Sequence, residues 1–126
     1  MDSKPSPELR DLVVRRALDL FARDPKRRWT VETIAEAVGV SRAALARRFV
    51  AALGEPPLRA LTRMRMEHAG RLLATTDDGL VAIADAVGYD SEFAFSRAFK
   101  RARGVPPAVF RRDVRSRAGF TLRAAA

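Results

Sequence analysis

A six-residue run in this chain returns 49 positions later, and that repetition limits the available folds more than any other feature. Ile34-Ala35-Glu36-Ala37-Val38-Gly39 recurs as Ile83-Ala84-Asp85-Ala86-Val87-Gly88. At an offset of 50, Ser41, Leu45, Arg47, Phe49, Gly54, Pro56 and Pro57 recur as Ser91, Phe95, Arg97, Phe99, Gly104, Pro106 and Pro107. The one-residue slip falls where Gly39-Val40-Ser41 becomes Gly88-Tyr89-Asp90-Ser91, and turns absorb insertions that packed helices do not. Chance similarity between Ala-rich helices could explain the first match. It does not explain the positions that follow in register, so a duplicated unit is expected.

Local signals make both copies helical. Ala, Leu and Arg dominate, and no stretch alternates β-branched residues with period two. Seven helices are expected. The first has Ser6 as cap and Pro7 at its first position, and runs to about Arg23 before Asp24-Pro25. The second starts after Thr30 and stops near Val38, and the third runs from Ser41 to about Leu53. The fourth begins at Pro56-Pro57 and continues to about Thr75. Asp77 or Asp78 caps the fifth, which stops at Gly88, and Ser91 caps the sixth, which reaches about Arg103. A short seventh starts at Pro106-Pro107 and ends near Asp113, leaving residues 114–126 as a frayed tail.

Each copy therefore reads as a short helix, a turn entered through glycine, and a second helix capped by serine. The Ala four residues before each Gly, Ala35 and Ala84, suits a close helix crossing, and the Gly supplies positive φ. Leu45 and Phe49, or Phe95 and Phe99, stand four apart and face inward. Ala43, Ala46, Arg47 and Val50 in one copy, and Phe93, Ser96, Arg97 and Lys100 in the other, face outward. This is a helix-turn-helix, twice. The helix joining the copies would span ~28 Å at 1.5 Å per residue, against ~34 Å between successive major-groove faces of B-DNA.

Charge agrees with a polyanionic partner. The 126 residues carry 24 Lys+Arg against 15 Asp+Glu, a net +9, and all the basic residues are arginine except Lys4, Lys26 and Lys100. Both halves are basic, so the charge is not one tail; a high-GC genome is the competing source of so much arginine. Without cysteine there is no disulfide, thiolate chemistry or zinc finger. No apolar run approaches the ~18 residues of a membrane helix, and the N-terminus lacks a secretory signal. A soluble cytoplasmic protein is the expectation. His68 is the only histidine, and no phosphate loop or nucleophile motif is present. Neither an enzyme, a cofactor nor a metal site is expected.

The second copy carries Gly88-Tyr89, Ser91, Phe95, Ser96-Arg97, Phe99-Lys100-Arg101, Gly104, Pro106-Pro107 and Phe110-Arg111. With these spacings the chain resembles the DNA-binding domain of the AraC family of bacterial transcription regulators, over about residues 8 to 113. The resemblance implies an all-α fold with two subdomains, 8–53 and 76–113, joined by a linker helix over 56–75. It also implies double-stranded DNA as partner, two successive major grooves, and a regulator acting on RNA polymerase at the nucleoid. Most relatives carry an effector or dimerisation domain. Only six residues precede the first expected helix, so a single-domain member or a fragment of a longer protein is expected.

By the family pattern, the third helix reads bases with Arg42, Ala43, Ala46 and Arg47, and the sixth with Glu92, Phe93, Ser96 and Arg97. Arg47 and Arg97 are the main readers, since a guanidinium can pair bidentately with guanine O6 and N7; a phosphate contact or surface ion pair is the alternative. Ala43 and Ala46 depart from the larger residues common in the family and offer only methyl contacts. Phe93 either meets thymine methyls or folds back onto its subdomain, with the second preferred. Glu92 either accepts from cytosine N4 or, as preferred, sits as a carboxylate on a helix N-terminus. Ser41, Arg48, Arg65, Ser91, Lys100, Arg101, Arg103 and Arg111 are phosphate-contact candidates. Trp29 is expected in the first core with Leu20 and Phe21, and His68 is structural. An asymmetric site of roughly 20 base pairs, bound by a monomer and read more sharply by the sixth helix, follows. The rival readings are a basic all-α protein-interaction module without base readout, and an RNA binder, which would need more exposed stacking aromatics.

Overall fold

Glycine and serine punctuation sets the element boundaries. The computed structural model describes residues 10–125, with side chains through residue 118. Its helices are α1 (Leu12–Arg23), α2 (Val31–Val38), α3 (Arg42–Leu53), α4 (Pro57–Thr75), α5 (Leu80–Ala86), α6 (Glu92–Arg103) and α7 (Pro107–Ala125). Among the described residues there is no strand, and the expected all-α class holds. The chain forms two compact units, one through Met64 and one from Arg65 onward, so α4 belongs partly to each.

In the first unit, α1, α2 and α3 enclose a core of Val14, Ala17, Phe21, Trp29, Ile34, Ala35, Val38, Leu45 and Phe49, joined by Ala60 and Leu61 from the start of α4. The Trp29 ring lies 6.0 Å from Phe21, and Leu20 packs against the cluster, as expected. Each fully buried Phe or Leu here stabilises by ~1.5–3 kcal/mol relative to exposure. Thr30 caps α2 through a reciprocal pair: its hydroxyl accepts from the Thr33 N–H at 3.1 Å, and the Thr33 hydroxyl accepts from the Thr30 N–H at 2.9 Å. At the other end Gly39 adopts φ 76°, and the N–H groups of Gly39 and Val40 both reach the Ala35 carbonyl. A residue with Cβ would strain that left-handed position.

The second unit repeats the plan. Ile83, Ala84 and Val87 of α5 and Phe95 and Phe99 of α6 pack with Met66, Ala69 and Leu73 of α4. Gly88 takes φ 90°, and Tyr89 N–H bonds to the Ala84 carbonyl at 2.9 Å. Tyr89, Phe95, Phe99 and Phe110 form a run of tilted and edge-on ring contacts, with centroids 5.2 to 6.0 Å apart. Such pairs add ~0.5–1.5 kcal/mol each beyond area burial.

Three boundaries differ from expectation. The first helix is interrupted at Asp11, whose backbone is extended (φ −92°, ψ 104°). Its carboxylate accepts from the Val13 and Val14 N–H groups at 3.0 and 3.2 Å, so a cap forms there instead of helix continuing through. Ser6 and Pro7 lie outside the described residues. Neither Asp77 nor Asp78 caps α5: Gly79 is the N-cap and supplies no side chain, while Asp77 faces Arg115 at 3.0 Å. Finally α7 continues through Asp113 to Ala125. No breaker interrupts residues 114–118, and Arg115, one turn beyond Arg111, bonds the Thr76 carbonyl.

Candidate nucleic-acid interface

The two second helices are built alike, with a buried back and a charged front. In α3 the side chains of Leu45 and Phe49 are fully buried, and in α6 so are those of Phe95 and Phe99. Ser41 Oγ accepts from the Ala44 N–H and Ser91 Oγ from the Ala94 N–H, each at 3.1 Å. Both serines are therefore N-caps first; they remain exposed, at helix ends whose dipole suits an anion. Because side chains three and four apart share a face, fixing the buried pair fixes what points outward.

Arg42, Ala43 and Arg47 are exposed on α3, with Ala46 half-buried between them. Arg42 stands at the positive end of the helix dipole, an unfavourable place for a cation, and its Nη1 pairs with Glu32 Oε1 at 3.0 Å. Both side chains are about two-thirds exposed, so the pair is weak and open to exchange for another anion. On α6, Glu92, Phe93 and Arg97 are exposed and Ser96 is half-buried. Phe93 is 80% exposed, which overturns the expectation that it folds back onto its subdomain. Its place on the first turn of α6, on the side away from Phe95 and Phe99, leaves it no core to reach. Glu92 occupies the first turn of α6, where a carboxylate is stabilised by the dipole.

The expected phosphate contacts divide. Lys100, Arg101 and Arg103 are exposed in the last turn of α6 and complement its negative end. The Arg103 guanidinium also stands 5.8 Å over the Phe110 ring. Arg48 is half-exposed and pairs with Asp11 at 3.4 Å. Arg65 is half-buried near Tyr89, and burial lowers its pKa while Tyr89 opposes that shift. Burial raises the Tyr89 pKa, against the lowering influence of Arg65 and Arg101. Arg111 is already engaged: its Nε donates to the Leu73 carbonyl at 3.0 Å and its Nη2 to the Thr76 carbonyl at 3.1 Å. It closes the C-terminal end of α4, where helix carbonyls lack partners. His68 is half-buried on α4, where burial first and Arg71 second lower its pKa.

Sequence reasoning missed two groups. Nothing in the sequence alone points to Glu32, which stands in the first turn of α2 and meets Arg42 across the turn. Arg115 falls in the expected tail, and its i+4 spacing from Arg111 is the available signal.

Two capped helices with exposed arginines at matching places, each preceded by a glycine-terminated helix, define a tandem helix-turn-helix. A family model described as a helix-turn-helix domain matches residues 34–113, the span of both copies. The chain belongs to the AraC family of helix-turn-helix transcription regulators. An AraC-like transcription regulator of Streptomyces lividans is 49% identical over 104 residues, which are 82% of this chain and 34% of that protein. The chain thus spans about a third of the length of such curated relatives. Among solved structures, the C-terminal domain of AraT, a response regulator from Geobacillus stearothermophilus, matches with a TM-score of 0.77 at 38% identity, covering 82% of this chain and 86% of that one. The DNA-binding domain of AdpA, a global transcriptional factor solved with a target DNA, matches with a TM-score of 0.76 at 31% identity, covering 82% and 93%. No helix among the described residues is long and apolar enough to cross a membrane.

Proposed function

We propose that this chain reads double-stranded DNA sequence-specifically as part of a transcription regulator, placing α3 and α6 in successive major grooves. The observation that carries the proposal is the matched pair of Ser-capped helices, each with a buried apolar back and an exposed arginine, Arg47 or Arg97, one turn in. The relative solved with a target DNA supports it.

In this reading Arg42, Ala43, Ala46 and Arg47 meet bases from α3, and Glu92, Phe93, Ser96 and Arg97 from α6. Ser41, Ser91, Arg48, Arg65, Lys100, Arg101 and Arg103 follow the phosphates. Arg111 leaves that set, because its donors already hold the end of α4. A monomer acts on an asymmetric site at the nucleoid, and the effect on transcription passes through RNA polymerase.

A salt titration on a selected duplex tests the electrostatic part. With about six to eight phosphates neutralised, log K against log salt falls with a slope of roughly −5 to −7. A slope near zero refutes DNA binding by this surface.

A further inference from the structure

Phe93 stands apart from the other large aromatic side chains described in the protein. Phe21, Phe49, Phe95, Phe99 and Trp29 are all buried, whereas Phe93 is 80% exposed. The aromatic run from Tyr89 through Phe95 and Phe99 to Phe110 passes it by. The internal repeat provides a control for what the fold requires at this place. At the offset of 50 that aligns Ser41 with Ser91 and Arg47 with Arg97, the counterpart of Phe93 is Ala43, also exposed on its helix. The helix-turn-helix therefore forms with a single methyl group here, and the phenyl ring serves something other than packing.

Its neighbours indicate what. Phe93 shares a face of α6 with Ser96 and Arg97, three and four residues on. Ser91 holds the start of that helix through its bond to the Ala94 N–H, so the ring projects from an ordered first turn. A phenyl ring has no hydrogen-bonding group, and the one apolar feature that a base edge shows in the major groove is the C5 methyl of thymine. We infer that Phe93 is a specificity-determining residue that reads a thymine methyl beside the base read by Arg97. Residues four apart on a helix have Cβ atoms ~5–6 Å apart, and base pairs stack at ~3.4 Å per step. The thymine accordingly lies within two base pairs of the one whose preference Arg97 sets. The inference rests on the proposed DNA reading, and it deepens that reading by naming the chemical group that α6 recognises.

The test begins with a site enriched from randomised duplexes by the whole chain. Thymines in the half read by α6 are then replaced one at a time by deoxyuridine, which keeps the hydrogen-bonding edge and removes only the methyl. Dissociation constants are measured for the unsubstituted protein, Phe93→Leu and Phe93→Ala, after their thermal melts are shown to coincide. At one thymine, uracil weakens the unsubstituted protein about fourfold, the value of burying one methyl-sized group. Phe93→Leu retains that discrimination, and Phe93→Ala binds the thymine and uracil duplexes alike. An enriched site at which uracil is tolerated everywhere overturns the role of Phe93 while leaving DNA reading intact. So does a thymine preference that persists in Phe93→Ala. Failure to enrich any sequence overturns DNA reading itself, and the inference with it.

Discussion

The two helix-turn-helix units are copies in their cores and unlike on their outer faces. Leu45 and Phe49 in one, and Phe95 and Phe99 in the other, are equally buried, and Ala35 and Ala84 sit at equivalent places before a left-handed glycine. On the outside, α3 offers Arg42, Ala43, Ala46 and Arg47, and its last turn has no basic residue. The outer face of α6 offers Phe93, Ser96 and Arg97, with Lys100, Arg101 and Arg103 in its last turn. Packing constrains the buried residues of a duplicated unit jointly, since changing one side chain disturbs those that touch it. The exposed faces carry no such constraint and diverge. The second unit thereby gains hydrogen-bonding capacity and a basic last turn on its outer helix, and the first retains mainly methyl groups around Arg47.

The most forceful way to break the comparison is through the cores. Phe49→Ala and Phe99→Ala each remove a fully buried ring and should destabilise by ~3–5 kcal/mol. Hydrogen exchange should report lost protection chiefly in the unit that carries the substitution, because each unit has its own cluster. Equal loss throughout the chain for both variants would show that the units fold as one.

Next in size is the asymmetry of reading. Arg97→Ala should weaken the selected site by ~1–3 kcal/mol and relax preference at one or two base pairs, as expected for loss of a bidentate contact. Arg101→Ala should weaken all sequences alike. A randomised-site selection should return higher information content in the half read by α6. Equal preference in both halves removes the division of labour, and a palindromic site replaces the monomer with a dimer.

Caps separate the units by a smaller amount. α2 has a reciprocal cap from Thr30 and Thr33, whereas α5 starts at Gly79 without a side-chain cap. Thr30→Ala should cost ~1 kcal/mol in denaturant unfolding, and Asp78→Ala should change little. Gly79→Ser should stabilise by a few tenths to ~1 kcal/mol, since its backbone is extended (φ −71°) and a Cβ there meets nothing within 4 Å. Destabilisation by Gly79→Ser would contradict this account of the α5 terminus.

The smallest effect is the pH response of His68, in the second unit. Its folded pKa is lowered from 6.5, first by burial and then by Arg71, so the neutral ring is the form suited to the fold. The stabilisation that goes with neutrality is present above the unfolded value, and it is lost as pH falls through the lowered folded value. His68→Gln should flatten that part of a stability-versus-pH curve. An unchanged curve would remove His68 as its source.

Much of this was legible along the chain. Ser41 and Ser91 cap the helices expected of them, and α2 starts after Thr30 as expected, because a cap is a contact between residues two or three apart. The inward pairs were readable from helical spacing, and α4 begins at Pro57, as proline placement indicated, and ends at Thr75. Local signals misled at two helix starts. The first helix is expected to run on from Ser6-Pro7, whereas Asp11 caps α1. Asp77, a residue suited to capping, instead pairs with Arg115.

The sequence by itself determined the duplication, the all-α class, the helix-turn-helix register and the identity of the outward arginines. All of these follow from propensity, caps and a 3.6-residue period, which are interactions among near neighbours. Only the tertiary structure decided which polar groups are already occupied. Arg48 meets Asp11 across 37 positions, Arg111 meets the carbonyls of Leu73 and Thr76 across 38 and 35, and Arg115 meets Thr76 across 39. It likewise decided that Phe93 stands in the open, since exposure depends on whether any other element folds over a side chain. No local pattern encodes such pairings, because they exist only after the cores of the two units have brought distant helices together.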